Sequence, residues 1–260
     1  MHDTRLRSGQ RRFRSTSHPT IADKKAGTLT YAGRRRLPLL LTVALTALAS
    51  SLTLIPAASA DPCPGVEVVF ARGTFEAPGP GQTGQAFVDA LRAHLPDESV
   101  DLYPVNYPAS LDFPRAADGV ADASTRVAAI AAQCPETQIV LGGYSQGAAV
   151  AAYTTTDVVP PGYALPPGIT GPLPPEIADH VAAVVLFGKP TQGFVHMLVQ
   201  TAPPITIGSR YADRTIDLCM VGDPVCSPDG FERSAHSAYR TAGMTTEAAQ
   251  FAADRVRLRA

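Results

Sequence analysis

Beyond residue 60 the chain alternates short apolar runs with stretches whose apolar residues recur at helical spacing. Val66 to Phe70 is dominated by β-branched and apolar residues, the pattern of a buried strand. Phe87, Leu91 and Leu95 recur every four residues, which predicts a helix whose apolar stripe lies on a sheet. Tyr103, Val105 and Tyr107 alternate as a second strand, and Pro104 within it predicts a short strand or one near an edge. A second helix is expected from about Ala116 to Gln133, ending before Cys134-Pro135. Thr137 to Gly142 reads as a third strand, and an Ala-rich helical segment follows Gly147. His180 to Phe187 is apolar almost throughout, as a central parallel strand buried on both faces requires. Ile216 to Val221 is the last candidate strand, and Thr245 or Thr246 is placed to cap a final helix through about Val256. Strands alternating with helices imply an α/β fold with a parallel sheet between helical layers.

Two interruptions stand out. A Gly/Pro-rich loop follows the first strand, and within it Gly79-Pro80-Gly81-Gln82-Thr83-Gly84 matches the spacing of a dinucleotide fingerprint. The match starts well past the strand end, so it lacks the strand-turn-helix context that would make it a phosphate cradle. The second is the Pro/Gly-rich insertion from Val158 to Pro175, long enough to border a cleft or to decorate the far end of the helix before it.

The first sixty residues have a different character. Arg34, Arg35 and Arg36 precede an apolar run from Leu37 to about Ile55, which ends in Ala58-Ser59-Ala60. Basic, apolar and small-x-small parts in that order are those of a secretory signal, cut after Ala60. The run is nearly long enough for a membrane anchor, but Pro38, Pro56, the Ser/Thr content and the Ala-x-Ala ending favour cleavage. Residues 1–60 are therefore expected to be a leader and residues 61–260 one domain, large enough for a proper core.

The 260-residue chain has a formal net charge of −1, and its basic residues cluster in the leader, which leaves no case for a nucleic-acid partner. All four cysteines, Cys63, Cys134, Cys219 and Cys226, follow the cleavage site. An even number in an exported chain predicts two disulfides, for which three pairings are open. No Cys-x-x-Cys or His pair at ligand spacing supports a metal, and no cofactor is expected.

The chemistry centres on Gly143-Tyr144-Ser145-Gln146-Gly147, a G-x-S-x-G turn between a strand and a helix, the context of a nucleophile elbow. A serine hydroxyl is a weak nucleophile and needs a histidine to take its proton and a carboxylate to orient that histidine. His94, His180, His196 and His236 lie after the leader. Only His236 leaves room for an acid before it in the order Ser, acid, His; His180 precedes a core strand and His196 lies in the loop segment after it. The acid candidates are Asp217, Asp223 and Asp229. Asp223 is favoured because it sits just beyond a predicted strand, between Cys219 and Cys226, where a Cys219–Cys226 bridge would clamp its loop. The backbone N–H of Gln146, at a helix N-terminus, is one oxyanion donor. Thr74, in the loop after the first strand, offers a second through its N–H or hydroxyl.

Taken together, Cys63-Pro64, Ala71-Arg72-Gly73-Thr74, Gly143-Tyr144-Ser145-Gln146-Gly147-Ala148-Ala149 and Gly222-Asp223-Pro224-Val225-Cys226 followed by His236 resemble the cutinase family, most closely its secreted bacterial members. The resemblance implies a small lidless α/β-hydrolase with a five-stranded parallel sheet and helices on both faces. It implies Ser145, Asp223 and His236 as nucleophile, acid and base, Thr74 and Gln146 as the oxyanion hole, and Cys63–Cys134 and Cys219–Cys226 as disulfides. Thr74 departs from the serine common in the family, which keeps the hydroxyl but narrows the space beside the oxyanion.

The expected activity is hydrolysis of carboxylic esters with short to medium acyl chains, lipids or polyesters included, by a secreted monomer open to transient contact with a lipid surface or the cell wall. Leu111, Phe113 and the segment from Pro228 to Ala235 are expected to line the acyl cleft. The rival expectations are a non-catalytic cell-envelope protein on the same scaffold, and acyl transfer to an alcohol in place of water.

Overall fold

In the computed structural model, which describes residues 63–161 and 164–259, five of the apolar runs lie side by side as a parallel sheet. The strands are β1 (Val66–Ala71), β2 (Val100–Pro104), β3 (Gln138–Tyr144), β4 (Val181–Phe187) and β5 (Thr215–Leu218), in the order β2-β1-β3-β4-β5. The expected leader and its cleavage after Ala60 lie outside the described residues. Among those described, no helix is long and apolar enough to cross a membrane.

Both faces of the sheet are covered, as the apolar runs require. Val66, Val68 and Phe70 of β1 point into a core completed by α1 (Gly81–His94) and α5 (Met244–Arg257). Val69 and Ala71 point the other way, into a core completed by α2 (Ala116–Gln133) and α3 (Gln146–Thr154). Strand β4, central and without a polar residue, is buried along its whole length. A further short helix, α4 (Gln192–Leu198), follows β4.

Several boundaries differ from the sequence pattern, each for a local reason. Strand β2 runs in register with β1 from Val66↔Val100 to Phe70↔Pro104, so the pairing ends where Val105 N–H takes the Phe70 carbonyl. Val105 and Tyr107 continue beyond the strand but stay buried in the core beside α2; their alternation reports burial, not pairing. The position of Pro104 on an edge strand is as expected. Strand β5 stops at Leu218, short of Val221, which is exposed. Helix α5 starts from Gly243 in the left-handed region (φ 80°), and neither Thr245 nor Thr246 caps it. His196 lies in α4, not in a loop.

Because all five strands are parallel, their C-terminal ends share one edge. Helix α3 starts at that edge and carries the chain back to the other, where β4 begins. The Pro-rich insertion therefore lies at the far end of α3, away from Ser145, and Leu173 within it packs on the α2/α3 core.

One polar residue is buried within β1. Glu67, 1% exposed, is held by a two-pronged ion pair from Arg126 of α2, at 2.5 and 2.7 Å. The Arg126 guanidinium also lies 4.9 Å from the Tyr103 ring centre. Removing one partner of such a pair leaves an unsolvated charge, whereas replacing both is far less costly. Arg126→Met should lower unfolding stability in urea by about 2 kcal/mol, and adding Glu67→Gln should restore most of it.

Candidate active site

The elbow is a steric solution to joining a central strand directly to a helix. A Cβ at Gly143 would lie 2.0 Å from the carbonyl oxygen of Gly147, and one at Gly147 would lie 1.9 Å from that of Ala71. Neither position has room for a side chain, so the glycines flanking Ser145 are fixed by close approach. Ser145 itself takes φ 55°, ψ −120°, a conformation costly for a residue with a Cβ, by about 1–3 kcal/mol. Its N–H is anchored to the Phe187 carbonyl at 2.8 Å, which ties the strained residue to β4.

Of the sequence candidates, the structure brings Ser145, His236 and Asp223 together. His236 Nε2 lies 2.8 Å from Ser145 Oγ, and its Nδ1 lies 2.7 Å from Asp223 Oδ2. The other candidates are elsewhere. Asp217 pairs with Lys189 at 3.2 Å, and Asp229 is exposed. His94 ends α1, His180 ends a 3-10 turn before β4, and His196 is exposed on α4.

The acid loop is held from several sides. Cys219 and Cys226 are bonded across it, and Cys63 is bonded to Cys134. The Asp223 N–H donates to Met220, its carbonyl accepts from Ser227, and Glu232 N–H takes the Gly222 carbonyl. The Asp223 side chain is fully buried and receives three donors: His236 Nδ1, Val225 N–H at 2.8 Å and the Tyr239 hydroxyl at 2.5 Å. Burial alone would raise its pKa; the hydrogen bonds from His236, Tyr239 and Val225 outweigh that and hold it below the ordinary carboxylate range.

The loop after β1 is braced by Arg72. Its guanidinium is buried and donates to the carbonyls of Glu76 (2.9 Å), Val105 (3.3 Å) and Tyr107 (2.6 Å). Tyr107 returns a hydrogen bond from its hydroxyl to the Arg72 carbonyl. Glu76 closes the turn onto Gly73 N–H at 2.7 Å and reaches Gln82 N–H at the start of α1. Thr74 sits within that turn, on the loop leaving β1 beside β3. Gln146 opens α3, so its N–H has no intrahelical acceptor. Its side chain donates to the Ser110 carbonyl at 3.0 Å, tying the elbow to the loop after β2. That loop carries Leu111, 64% exposed, and Phe113, half-buried at the start of a 3-10 turn.

Two tyrosines at the site had no place in the sequence expectation. The Tyr144 ring stacks on the His236 ring at 5.1 Å, and its hydroxyl donates to the His236 carbonyl at 2.6 Å. Tyr239, fully buried, donates to Asp223 and accepts from Met220 N–H at 3.2 Å. Burial pushes both phenols well above the usual range. The available signals were the position just before the elbow serine for Tyr144 and, for Tyr239, a tyrosine three residues after the histidine. Gly188 completes the arrangement: at φ 60°, a Cβ there would crowd Tyr239 Oη (2.9 Å), Asp223 Oδ2 (3.2 Å) and His236 Cε1 (3.2 Å).

A carboxylate whose pKa is lowered by folding adds stability above its unfolded pKa, about 4, and loses it as pH falls through the lower folded value. Asp223→Asn should therefore be less stable than the wild type at pH 7. The gap should narrow below about pH 4, measured by urea unfolding at both pH values.

Comparison with known proteins places these features in a group. A family model described as Cutinase matches residues 62–256. The chain is 49% identical over 177 residues to the probable carboxylesterase Culp5 of Mycobacterium tuberculosis, covering 68% of this chain and 99% of that protein. It is 47% identical over 224 residues to the phospholipase Culp4 of the same organism, covering 85% and 92%. Among solved structures, Trichoderma reesei cutinase in complex with a C11Y4 phosphonate inhibitor aligns with TM-score 0.55 and 27% identity, over 75% of this chain and 78% of that one. An acetyl xylan esterase aligns with TM-score 0.60 at 24% identity, over 75% and 99%, a likeness of fold.

Proposed function

The chain belongs to the cutinase family, and from that membership we propose that it is a secreted serine esterase that hydrolyses carboxylic esters through an acyl-enzyme on Ser145. The observation that carries this reading is the continuous relay from Ser145 Oγ through His236 to Asp223, at 2.8 and 2.7 Å, on an elbow strained to present the serine. His236 Nε2 takes the serine proton as Oγ attacks the ester carbonyl, while Asp223 keeps Nδ1–H oriented and balances the charge that forms on the ring. The tetrahedral oxyanion is received by the N–H of Gln146 and by Thr74, through its N–H or hydroxyl. Collapse breaks the ester C–O bond, and His236 returns the proton to the departing alcohol. Water then repeats the sequence on the acyl-enzyme and frees the acid.

The surface at the serine's end of the sheet supports a substrate class. Phe75 (74% exposed), Leu111 (64%), Val221 (90%) and Phe231 (89%) all stand on loops that follow the C-terminal ends of strands, at the edge that carries Ser145. Apolar side chains exposed to water at the end of the sheet that carries Ser145 suit acyl chains of short to medium length, with Leu111 and Phe113 as contacts, and suit transient contact with a dispersed lipid or polyester surface. The two disulfides fit an oxidising compartment, and export would use residues 1–60 as a leader cleaved after Ala60.

Ser145→Ala should lower p-nitrophenyl butyrate hydrolysis by more than about 1000-fold and remove labelling by a fluorophosphonate probe, with thermal unfolding unchanged or raised. Turnover retained at the wild-type rate would refute the assignment. Val221→Ser with Phe231→Ser should leave hydrolysis of soluble p-nitrophenyl acetate within about 2-fold but lower that of an emulsified triglyceride by about 5-fold or more. Equal loss on both substrates would argue against surface contact.

A further inference from the structure

Tyr239 is a buried hub beside the relay, and the esterase mechanism above does not use it. Its hydroxyl donates to Asp223 Oδ2, the same oxygen that receives His236 Nδ1, while Val225 N–H holds Oδ1. A carboxylate held by both oxygens cannot rotate, so His236 faces an acceptor of fixed position. The hydroxyl is itself fixed: it accepts Met220 N–H and lies 3.3 Å from Cys226 Sγ of the bridge that closes the acid loop. The ring is wedged edge-on against Phe187 of β4 at 6.1 Å and against Tyr144 and His236 at 5.9 and 6.4 Å. One phenol thus connects the acid, the disulfide loop, the elbow and the central strand.

We propose that Tyr239 is a positioning residue for the reaction: it sets the orientation of the Asp223 carboxylate and tempers its charge, and through it holds His236 in line with Ser145. The inference rests on the serine-esterase reading. The donor matters in two ways. It removes the torsional freedom of the acid, and it withdraws charge from the oxygen that the histidine proton faces. The titratable side chains in contact with it are Asp223, His236 and Tyr144.

Tyr239→Phe keeps the ring and deletes the hydroxyl, which is both the donor to Asp223 and the acceptor of Met220 N–H. It should lower kcat for p-nitrophenyl butyrate by about 10-fold with KM within about 2-fold. It should also move the acidic limb of the kcat/KM profile to higher pH, because the less neutralised carboxylate favours a proton on the histidine. In an Asp223→Asn background the same substitution should have no further effect on kcat, since the path through the acid is already gone. Wild-type kcat with an unmoved limb would overturn the proposal. So would a loss of equal size in the Asp223→Asn background, which would mark Tyr239 as packing alone. If Tyr239→Phe does not fold, 3-fluorotyrosine at position 239 of the full chain, a stronger donor of nearly the same shape, should move the limb to lower pH; an unmoved limb overturns the proposal there too. Ser145→Ala assayed alongside separates the two levels: turnover surviving in that variant refutes the esterase mechanism on which the inference rests, whereas Ser145-dependent turnover left unchanged by Tyr239→Phe refutes the role of Tyr239 alone.

Discussion

The whole arrangement depends on one close approach, that of the elbow to β1. Helix α3 begins so near the end of β1 that no side chain fits at Gly147, and the turn is so tight against the start of α3 that none fits at Gly143. That contact forces Ser145 into its strained conformation and aims its hydroxyl out of the sheet edge. It also sets the start of α3, where the Gln146 N–H has no intrahelical acceptor, next to the loop that carries Thr74. The presentation of Ser145 and the placing of the Gln146 N–H beside the β1 loop therefore share one packing event, and the strain at Ser145 is held by the β4 anchor and the buried alanines of α3.

Strand order places the rest. From β1 the chain turns outward to β2, and from β3 it runs the other way to β4 and β5. The loops leaving β1 and β3 thus part above neighbouring strands and leave a crevice at the switch, the usual place for ligands in open parallel sheets. On one side Arg72 binds the β1 loop to the β2 loop through the carbonyls of Val105 and Tyr107; on the other the disulfide loop brings in Asp223. Neither brace touches Ser145.

Most of this was legible in the chain. His180 to Phe187 reads as a strand buried on both faces, and the Gly spacing around Ser145, between a strand and an Ala-rich segment, reads as an elbow. Asp223 and His236 were picked out by order and by the flanking cysteines. What escaped the sequence were contacts made between distant segments. Tyr239 looks like any aromatic, and only the folded acid loop gives its hydroxyl a carboxylate. Arg72 reads as part of a short motif, while its acceptors lie 33 and 35 residues further on. Local pattern also misled where burial and pairing separate, as at Val105 and Tyr107, and where Gly243, not a threonine, began α5.

The serine and its two partners are built on supports of unequal firmness. Ser145 stands between strands buried on both faces, whereas Asp223 and His236 hang from β5, a four-residue strand at the sheet edge. Amide hydrogens of β1, β3 and β4 should exchange only when the whole domain opens, and those of 219–239 through smaller, local openings. Such a molecule can lose its relay while the sheet stands, so the half-life of activity at a given temperature is set by the edge, not by the core.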